Sequence, residues 1–499
     1  MWLHAVPMTG PTEMRIGQRQ IDGALVQRFI AEGVTKGAAL FLVFLLARWL
    51  AAEGFGGYSQ TQALVAVLVP IVLLGLGFAI IRQIAGATNA ADIAAPIITA
   101  FLLVSMLSMG LAVAIWVFAP RFAADFSNHP SAIALIRAAA ILLPVAAWQN
   151  LFFEALRARQ RVRTATLLQI GESLISLAGI AVLWILNDLT PVTAIIMIAI
   201  LKVVFLLSAA ADLMRSQAIG PGQIRLLSRK DVLAALALGM PFMIAGLGES
   251  LMGMVDRVLI GSLVGSETVG RYVAAQTLIA ILASWGAPYW WLLYPRMARA
   301  MTAGSSSEAI ALTHRLFGNF ITFATPLAVL LAILGPQILI LALGETFQIA
   351  PATMAVLVLA IFINQSATPW EYSLYISGKA VFLMWTSLFW GLAAVVGIVV
   401  LLPAYGILGA AISVASARLG FAIIIIHGAG RSGLGLELLP RDSALRVLAD
   451  LSLAVLVVVL GSTMTTMMQT PWIAAALFIA VYGLSDLSAR LYQTRRQAR

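Results

Sequence analysis

The sequence predicts an all-α integral membrane protein of about 14 transmembrane helices, with two parallel six-helix repeats forming a V-shaped cavity and two further helices after them. Three observations predict it. The 499 residues are 61% hydrophobic and 10% charged, with a mean hydropathy of +0.98. A soluble domain carries roughly 25% charged residues, so lipid must cover much of this chain. The apolar runs are about 20 residues long. Hydrocarbon forces every backbone polar group to be paired internally, and runs of that length, rather than alternating ten-residue segments, select helices over a barrel. The third observation is a repeat at an offset of 214 residues, set out below.

In order, the spans fall at 24–50, 59–81, 93–118, 131–153, 164–187, 190–214, 232–262, 270–294, 316–341, 350–376, 380–402, 406–427, 444–466 and 472–490. They divide the chain into a tail (1–23), a first lobe (24–215), a linker rich in Gly, Pro and basic residues (216–231), a second lobe (232–430), and an extra helix pair with a basic tail (431–499). Met1 to Gln20 holds no apolar core between a basic start and a cleavage site, so it reads as a short tail rather than a signal peptide.

The net charge of +10 comes from 31 Lys and Arg against 21 Asp and Glu. In a soluble protein such a balance would suggest nucleic acid. Here it sets orientation. With both termini on one side, 23 basic residues fall on that side, four (Arg48, Arg121, Arg257, Arg271) on the other, and four inside spans. The positive-inside rule then puts both termini in the cytoplasm. The absence of cysteine excludes disulfides, thiolate metal sites and cysteine nucleophiles. No Gly-rich loop ending in Lys-Ser/Thr is present, which excludes a nucleotide-powered pump within this chain.

The repeat aligns Glu53, Gly56, Tyr58, Gln62 and Leu64 with Glu267, Gly270, Tyr272, Gln276 and Leu278, without a gap. Ala66/Ala280, Leu68/Leu282 and Arg82/Arg296 continue it. Glu, Gly, Tyr and Gln are not apolar filler, so the match means more than shared hydrophobicity. Each unit holds six spans, an even number, which preserves orientation and makes the repeats parallel. Gly56 and Gly57 are expected to form a tight turn where the chain leaves the membrane, with Tyr58 anchored at the interface.

The stretch Ala47-Arg48-Trp49-Leu50-Ala51-Ala52-Glu53-Gly54-Phe55-Gly56-Gly57-Tyr58 resembles the first-loop signature of the polysaccharide transporter (Wzx-like) family, of the superfamily that also holds lipid II flippases and multidrug and toxin extruders. Gly239-Met240-Pro241, Asp256-Arg257-Val258-Leu259-Ile260-Gly261, Gly270-Arg271-Tyr272 and Tyr294-Pro295-Arg296 continue the resemblance through the second half. The extra C-terminal pair is more like the lipid II flippase branch, where such a pair makes a groove for a polyprenyl tail. The resemblance implies a flippase that carries a polyprenyl-pyrophosphate-linked oligosaccharide outward by alternating access, with membrane lipids and polysaccharide assembly proteins as partners, no nucleic acid and no cofactor. A multidrug or cation antiporter of the same superfamily is the alternative; its cavity should be acidic, whereas the span charges here lean basic. A membrane glycosyltransferase or polymerase would generally need a large outer loop, and no loop of that size is read. A transport-dead scaffold for glycan assembly is a third possibility.

A charge at the bilayer centre costs at least roughly 2.5–3.5 kcal/mol, so it usually faces a cavity or a partner. Arg28, Lys36, Arg137, Lys202, Arg257 and Arg418 are the candidates for a cationic cavity that binds pyrophosphate, since guanidinium forks and ammonium charges suit phosphate oxygens. Glu32, Glu172, Glu249 and Asp256 are candidates for coupling to a proton or sodium ion. The competing reading for each acid is a salt-bridge partner. Arg28, Glu32 and Lys36 form a stripe at four-residue spacing that could neutralise itself. Glu371 reads as interfacial, and the aromatics Tyr289, Trp290, Trp291, Trp370, Tyr372 and Tyr375 read as an interfacial belt rather than a sugar platform.

Overall fold

The computed structural model describes residues 18–430, apart from 85–86, 88, 127–128, 160 and 218–224 and, within helices, the side chains of 18–36, 39, 82, 124–125, 162, 291 and 302. The described residues form thirteen α-helices and no strand. These are α1 (Gln18–Leu73), α2 (Leu76–Ile84), α3 (Ala90–Phe126), α4 (Ala132–Ala158), α5 (Val162–Ile185), α6 (Pro191–Ser216), α7 (Arg229–Gly253), α8 (Val255–Leu263), α9 (Ser266–Thr302), α10 (Ser306–Leu343), α11 (Pro351–Ile376), α12 (Ala380–Tyr405) and α13 (Ile407–Gly430). Among them ten stretches are long and apolar enough to cross a membrane. The chain is therefore a multi-pass membrane protein. The expected spans 444–466 and 472–490 lie outside the described residues.

Two expected spans share one helix. At 1.5 Å per residue, the 56 residues of α1 would reach about 84 Å, roughly twice the bilayer thickness. Ala51, at φ 55° and ψ 178°, breaks α1 into two arms. The change of direction thus falls before Gly56 and Gly57, which are helical, and the turn expected at those glycines is corrected to a kink at Ala51. Past Pro70 the second arm ends at Leu74 and Gly75, both at positive φ, and resumes as α2. The expected span 232–262 is likewise divided at Met254 into α7 and α8.

Packing follows the repeat. In the first unit α4 is the hub, against α3, α6 and α1, with α5 on α6. In the second, α12 lies on α7 and α13, and α11 bridges α13 to α9 and α10. The units meet where the repeat puts its glycines. A Cβ at Gly56 would sit 1.7 Å from the Ser266 carbonyl oxygen, and one at Gly270 would sit 2.0 Å from the Ala52 oxygen. Gly270 and Ser266 are the 214-residue counterparts of Gly56 and Ala52, so the two contacts exchange under the repeat. A pseudo-two-fold axis therefore passes between the two glycines. Ala52/Gly56 and Ser266/Gly270 are small residues four apart, the spacing that lets membrane helices approach backbone to backbone.

From there the second arm of α1 runs antiparallel to α7 and α8. The Gln60 amide donates to the Val258 carbonyl at 3.3 Å, Ser250 donates to the Ala66 carbonyl at 3.4 Å, and Pro70 faces Gly246. On the N-terminal side a Cβ at Gly75 would lie 2.0 Å from the Gly239 oxygen, and Phe78 stacks on Phe242 at 3.7 Å. Along this seam the two units are shut from one side of the membrane to the other.

Candidate transport site

The second unit gathers charge near mid-membrane. Arg418 lies near the middle of α13, buried among Ala-rich turns, with its side chain 10% exposed. Its guanidinium donates to the Glu249 carboxylate at 2.8 Å. Glu249, just past midway along the α7–α8 rod, keeps 42% of its side chain exposed. A carboxylate that open, inside an apolar helix, faces space and not packed protein. Gly253, one turn on, gives Arg418 room: a Cβ there would lie 3.4 Å from the guanidinium. Glu371, on α11, lies within coulombic reach of both Glu249 and Arg418. Arg418 thus pairs with Glu249, and a second carboxylate lies close to the pair. The interfacial reading of Glu371 is corrected, because the side chain reaches inward from the last turns of its helix to the α7–α13 pair. Its place in the motif Pro369-Trp370-Glu371-Tyr372, an acid between buried or half-buried aromatics, was the available signal.

The first unit holds its counterpart. Lys202, at the middle of α6, donates to Glu172 on α5 at 2.9 Å and to the Gln149 side-chain oxygen at 2.8 Å. The Gln149 amide donates to the other Glu172 oxygen at 2.5 Å. Each member satisfies the other two, and both charged side chains are mostly shielded. Glu172 and Lys202 therefore come together as an internal pair.

Asp256 and Arg257 sit at the seam. Asp256 is fully buried and accepts from the Arg257 backbone N–H (2.8 Å), the Tyr272 hydroxyl (2.8 Å) and the Gln276 amide (2.9 Å). Arg257 Nε donates to the Gln276 oxygen at 3.1 Å. Through these three hydrogen bonds Asp256 fastens α8 to α9. Arg257 belongs to the same fastening.

Arg137 is apart from all of these. It shares a groove of about 490 Å³ with Trp116, Ile133, Ile141, Val192 and Ile196, every one in the first unit, and it lies over the Trp116 ring at 5.2 Å. This corrects its placement in a cavity between the lobes. Ile133 and Ile141 flank it at i−4 and i+4 while Ala138, Ala139 and Ala140 are buried. That stripe already told the outward face of α4 from its packed one. The side chains of Arg28, Glu32 and Lys36 lie outside the described residues.

The aromatics are corrected as well. Tyr289, Trp290 and Trp370 are buried and pack with Phe317 and Phe320 at centroid distances of 4.9–6.3 Å, as core. Tyr372 meets Tyr294 edge-on at 5.0 Å beside Glu371.

The described residues form an all-helical membrane bundle of two pseudo-symmetric units, with ionisable side chains inside it and a close glycine seam between them. The family model for polysaccharide biosynthesis proteins matches residues 27–301, and the chain belongs to that family. No curated protein matches the chain. Among solved structures, the lipid II flippase MurJ in an inward-closed conformation superposes with a TM-score of 0.69 at 12% identity, over 94% of this chain and 99% of that one. An inward-facing multidrug-resistance MATE transporter of the MOP superfamily gives 0.57 at 16% identity, over 81% and 94%. A Vibrio cholerae MATE transporter gives 0.57 at 15%, over 83% and 97%. The chain has the fold these flippases and extruders share.

Proposed function

We propose that the protein is a flippase that moves a polyprenyl-pyrophosphate-linked oligosaccharide from the cytoplasmic to the periplasmic leaflet of a bacterial inner membrane, both termini being cytoplasmic. The family supports a place in polysaccharide synthesis, and the observation that carries the mechanism is the Arg418–Glu249 pair with Glu371 beside it. The units would hinge about the glycine seam and expose this cluster to each side in turn. A pyrophosphate competes with Glu249 for Arg418, and a guanidinium holds two phosphate oxygens as readily as a carboxylate. Protonation of Glu249, or a sodium ion taken between Glu249 and Glu371, weakens its hold on Arg418 and releases that guanidinium to the lipid. The proton or ion leaves when the pair re-forms on the far side. Lys36, on the first arm of α1, would supply a second cation from the other unit. A membrane potential of about 100 mV acting on two negative charges favours outward movement by roughly 4–5 kcal/mol.

One observation favours a cation antiporter instead: a second carboxylate, Glu371, lies close to the Arg418–Glu249 pair and could take up a cation. Proteoliposomes separate the two readings. Wild type is expected to translocate a fluorescent polyprenyl-pyrophosphate oligosaccharide, and Arg418→Ala and Lys36→Ala to lose most of that activity while remaining folded. Wild type that extrudes a cationic dye and leaves the lipid unmoved would establish the antiporter.

A further inference from the structure

We infer that the groove around Arg137 is a binding site for the phosphate of an anionic phospholipid, separate from the transport path. The argument starts with depth. The 27 residues of α4 measure about 40 Å, close to the full thickness of a bilayer with its headgroups. Arg137 falls in the second turn, about 8 Å below the start of the helix, where headgroup phosphates give way to hydrocarbon. The side in question is the one opposite the N-terminus, since α3 and α4 meet there.

The walls are lipid-like. Ile133, Ile141, Ile196 and Trp116 are each at least 38% exposed and form one apolar trough across α3, α4 and α6. Acyl chains fit such a surface. At its head stands one full positive charge. Arg137 forms no ion pair with any described carboxylate, and its Nε is shielded from solvent with no hydrogen-bond partner. The Trp116 ring lies alongside the guanidinium; this steadies the plane of the fork but accepts no hydrogen bond from it. A shielded donor without an acceptor is costly in a site this apolar, and lipid headgroups are the anions that reach it from the side. A phosphodiester offers two oxygens to the fork while its chains follow Ile141 and Ile196 into the membrane.

The contrast with Arg121 sharpens the assignment. Arg121, on α3, also lies beside an aromatic ring (Phe118, 5.5 Å), but its side chain is exposed. It is an ordinary interfacial arginine.

The test is native mass spectrometry of the full-length protein in detergent, titrated with phosphatidylglycerol. Wild type and Arg121→Ala are expected to retain the same number of lipids, and Arg137→Ala one fewer. Ile196→Trp, which fills the trough and leaves the charge in place, is expected to lose the same lipid and keeps the test decisive should Arg137→Ala fail to fold. Equal retention by wild type and Ile196→Trp would overturn the site. So would equal losses in Arg121→Ala and Arg137→Ala, which would mean that surface charge alone holds the lipid. Stoichiometric displacement of phosphatidylglycerol by a polyprenyl pyrophosphate would overturn the phospholipid assignment and make the groove part of the transport path. The transport readout of Arg418→Ala is separate, so the failure of either idea leaves the other standing.

Discussion

The two halves of the molecule share a backbone plan and differ in how they use charge. Each carries a basic residue at the middle of its last helix, Lys202 on α6 and Arg418 on α13, and each base is paired with a carboxylate of its own half. In the first half the pair is closed by Gln149, which bonds both the Lys202 ammonium and the Glu172 carboxylate. In the second half the base is buried, but its partner Glu249 is open and a second acid, Glu371, lies in range. A satisfied network in a low-dielectric setting rigidifies. An incompletely neutralised one can exchange partners. On the proposed function, the difference assigns the first cluster to architecture and the second to chemistry, while the symmetric glycines, Gly56 and Gly270, would serve the motion between the halves.

The sharpest way to break the symmetric part is to fill the seam. Gly56→Val or Gly270→Val would drive side-chain atoms into a carbonyl less than about 2 Å away, and overpacking costs typically 1–3 kcal/mol even where the neighbours can yield. Either change is expected to hold the units apart and lower transport by about tenfold or more, equally in the two positions. Because the chain has no cysteine, Gln60→Cys alone reports the opening through thiol labelling. A large effect at Gly56 with none at Gly270 would show that the seam is not two-fold.

The next comparison sets Arg418→Ala against Lys202→Ala. Removing Lys202 leaves Glu172 and Gln149 facing each other partly buried, and breaking a buried pair costs up to about 3–5 kcal/mol, less here because the site is not fully dry. Lys202→Ala should lower the melting temperature by several degrees and leave transport per folded molecule nearly intact. Arg418→Ala should do the reverse, since Glu249 is already open to water. Exchanged outcomes would move the chemistry to the first unit.

Much of this was legible in the sequence, for physical reasons that also explain the gaps. Lipid exposure writes itself into runs of apolar residues, so each of the twelve spans expected within the described residues overlaps a helix or a helix arm, although α3, α9 and α10 run eight to ten residues past the expected bounds. The 214-residue offset was carried by Glu, Gly, Tyr and Gln, and the same offset locates the axis. The kink was misplaced because glycine marks both a turn and a close approach. Here Gly56 serves the approach, and Ala51, a residue with no turn signal, takes the left-handed conformation. Charged residues could be assigned a depth but not a direction. Glu371 looked interfacial by depth and points inward, whereas Arg137 looked internal and faces outward. Partner choice across helices, such as Gln149 with Glu172, has no sequence periodicity to reveal it.

A finer test compares one tyrosine in two settings. Tyr272 donates to the buried carboxylate of Asp256, whereas Tyr58, its counterpart, only accepts from the Gln62 amide at 3.0 Å. Hydrogen bonds to charged groups are worth about 1.5–3 kcal/mol and neutral ones about 0.5–1.5. Tyr272→Phe should therefore destabilise the protein more than Tyr58→Phe, by about 1 kcal/mol, in paired thermal denaturation curves. Equal losses would mean that the Asp256 fastening adds nothing to the second half.

The smallest expected effect is confined to the first half. His129 lies in the loop between α3 and α4 on the side opposite the N-terminus, against Gly57. Its pKa is lowered from 6.5, because burial disfavours the charged ring more than nearby Glu53 favours it. A histidine held below its unfolded value binds its proton less readily when folded. Its contribution to stability is thus present above about pH 6.5 and lost as the pH falls through the folded value. The loop between α10 and α11 in the second half, 344–350, holds no histidine. His129→Gln should flatten the acid side of a stability–pH curve between about pH 7 and 5 and leave the curve unchanged above it. An acid limb that survives the substitution would place the titrating group elsewhere.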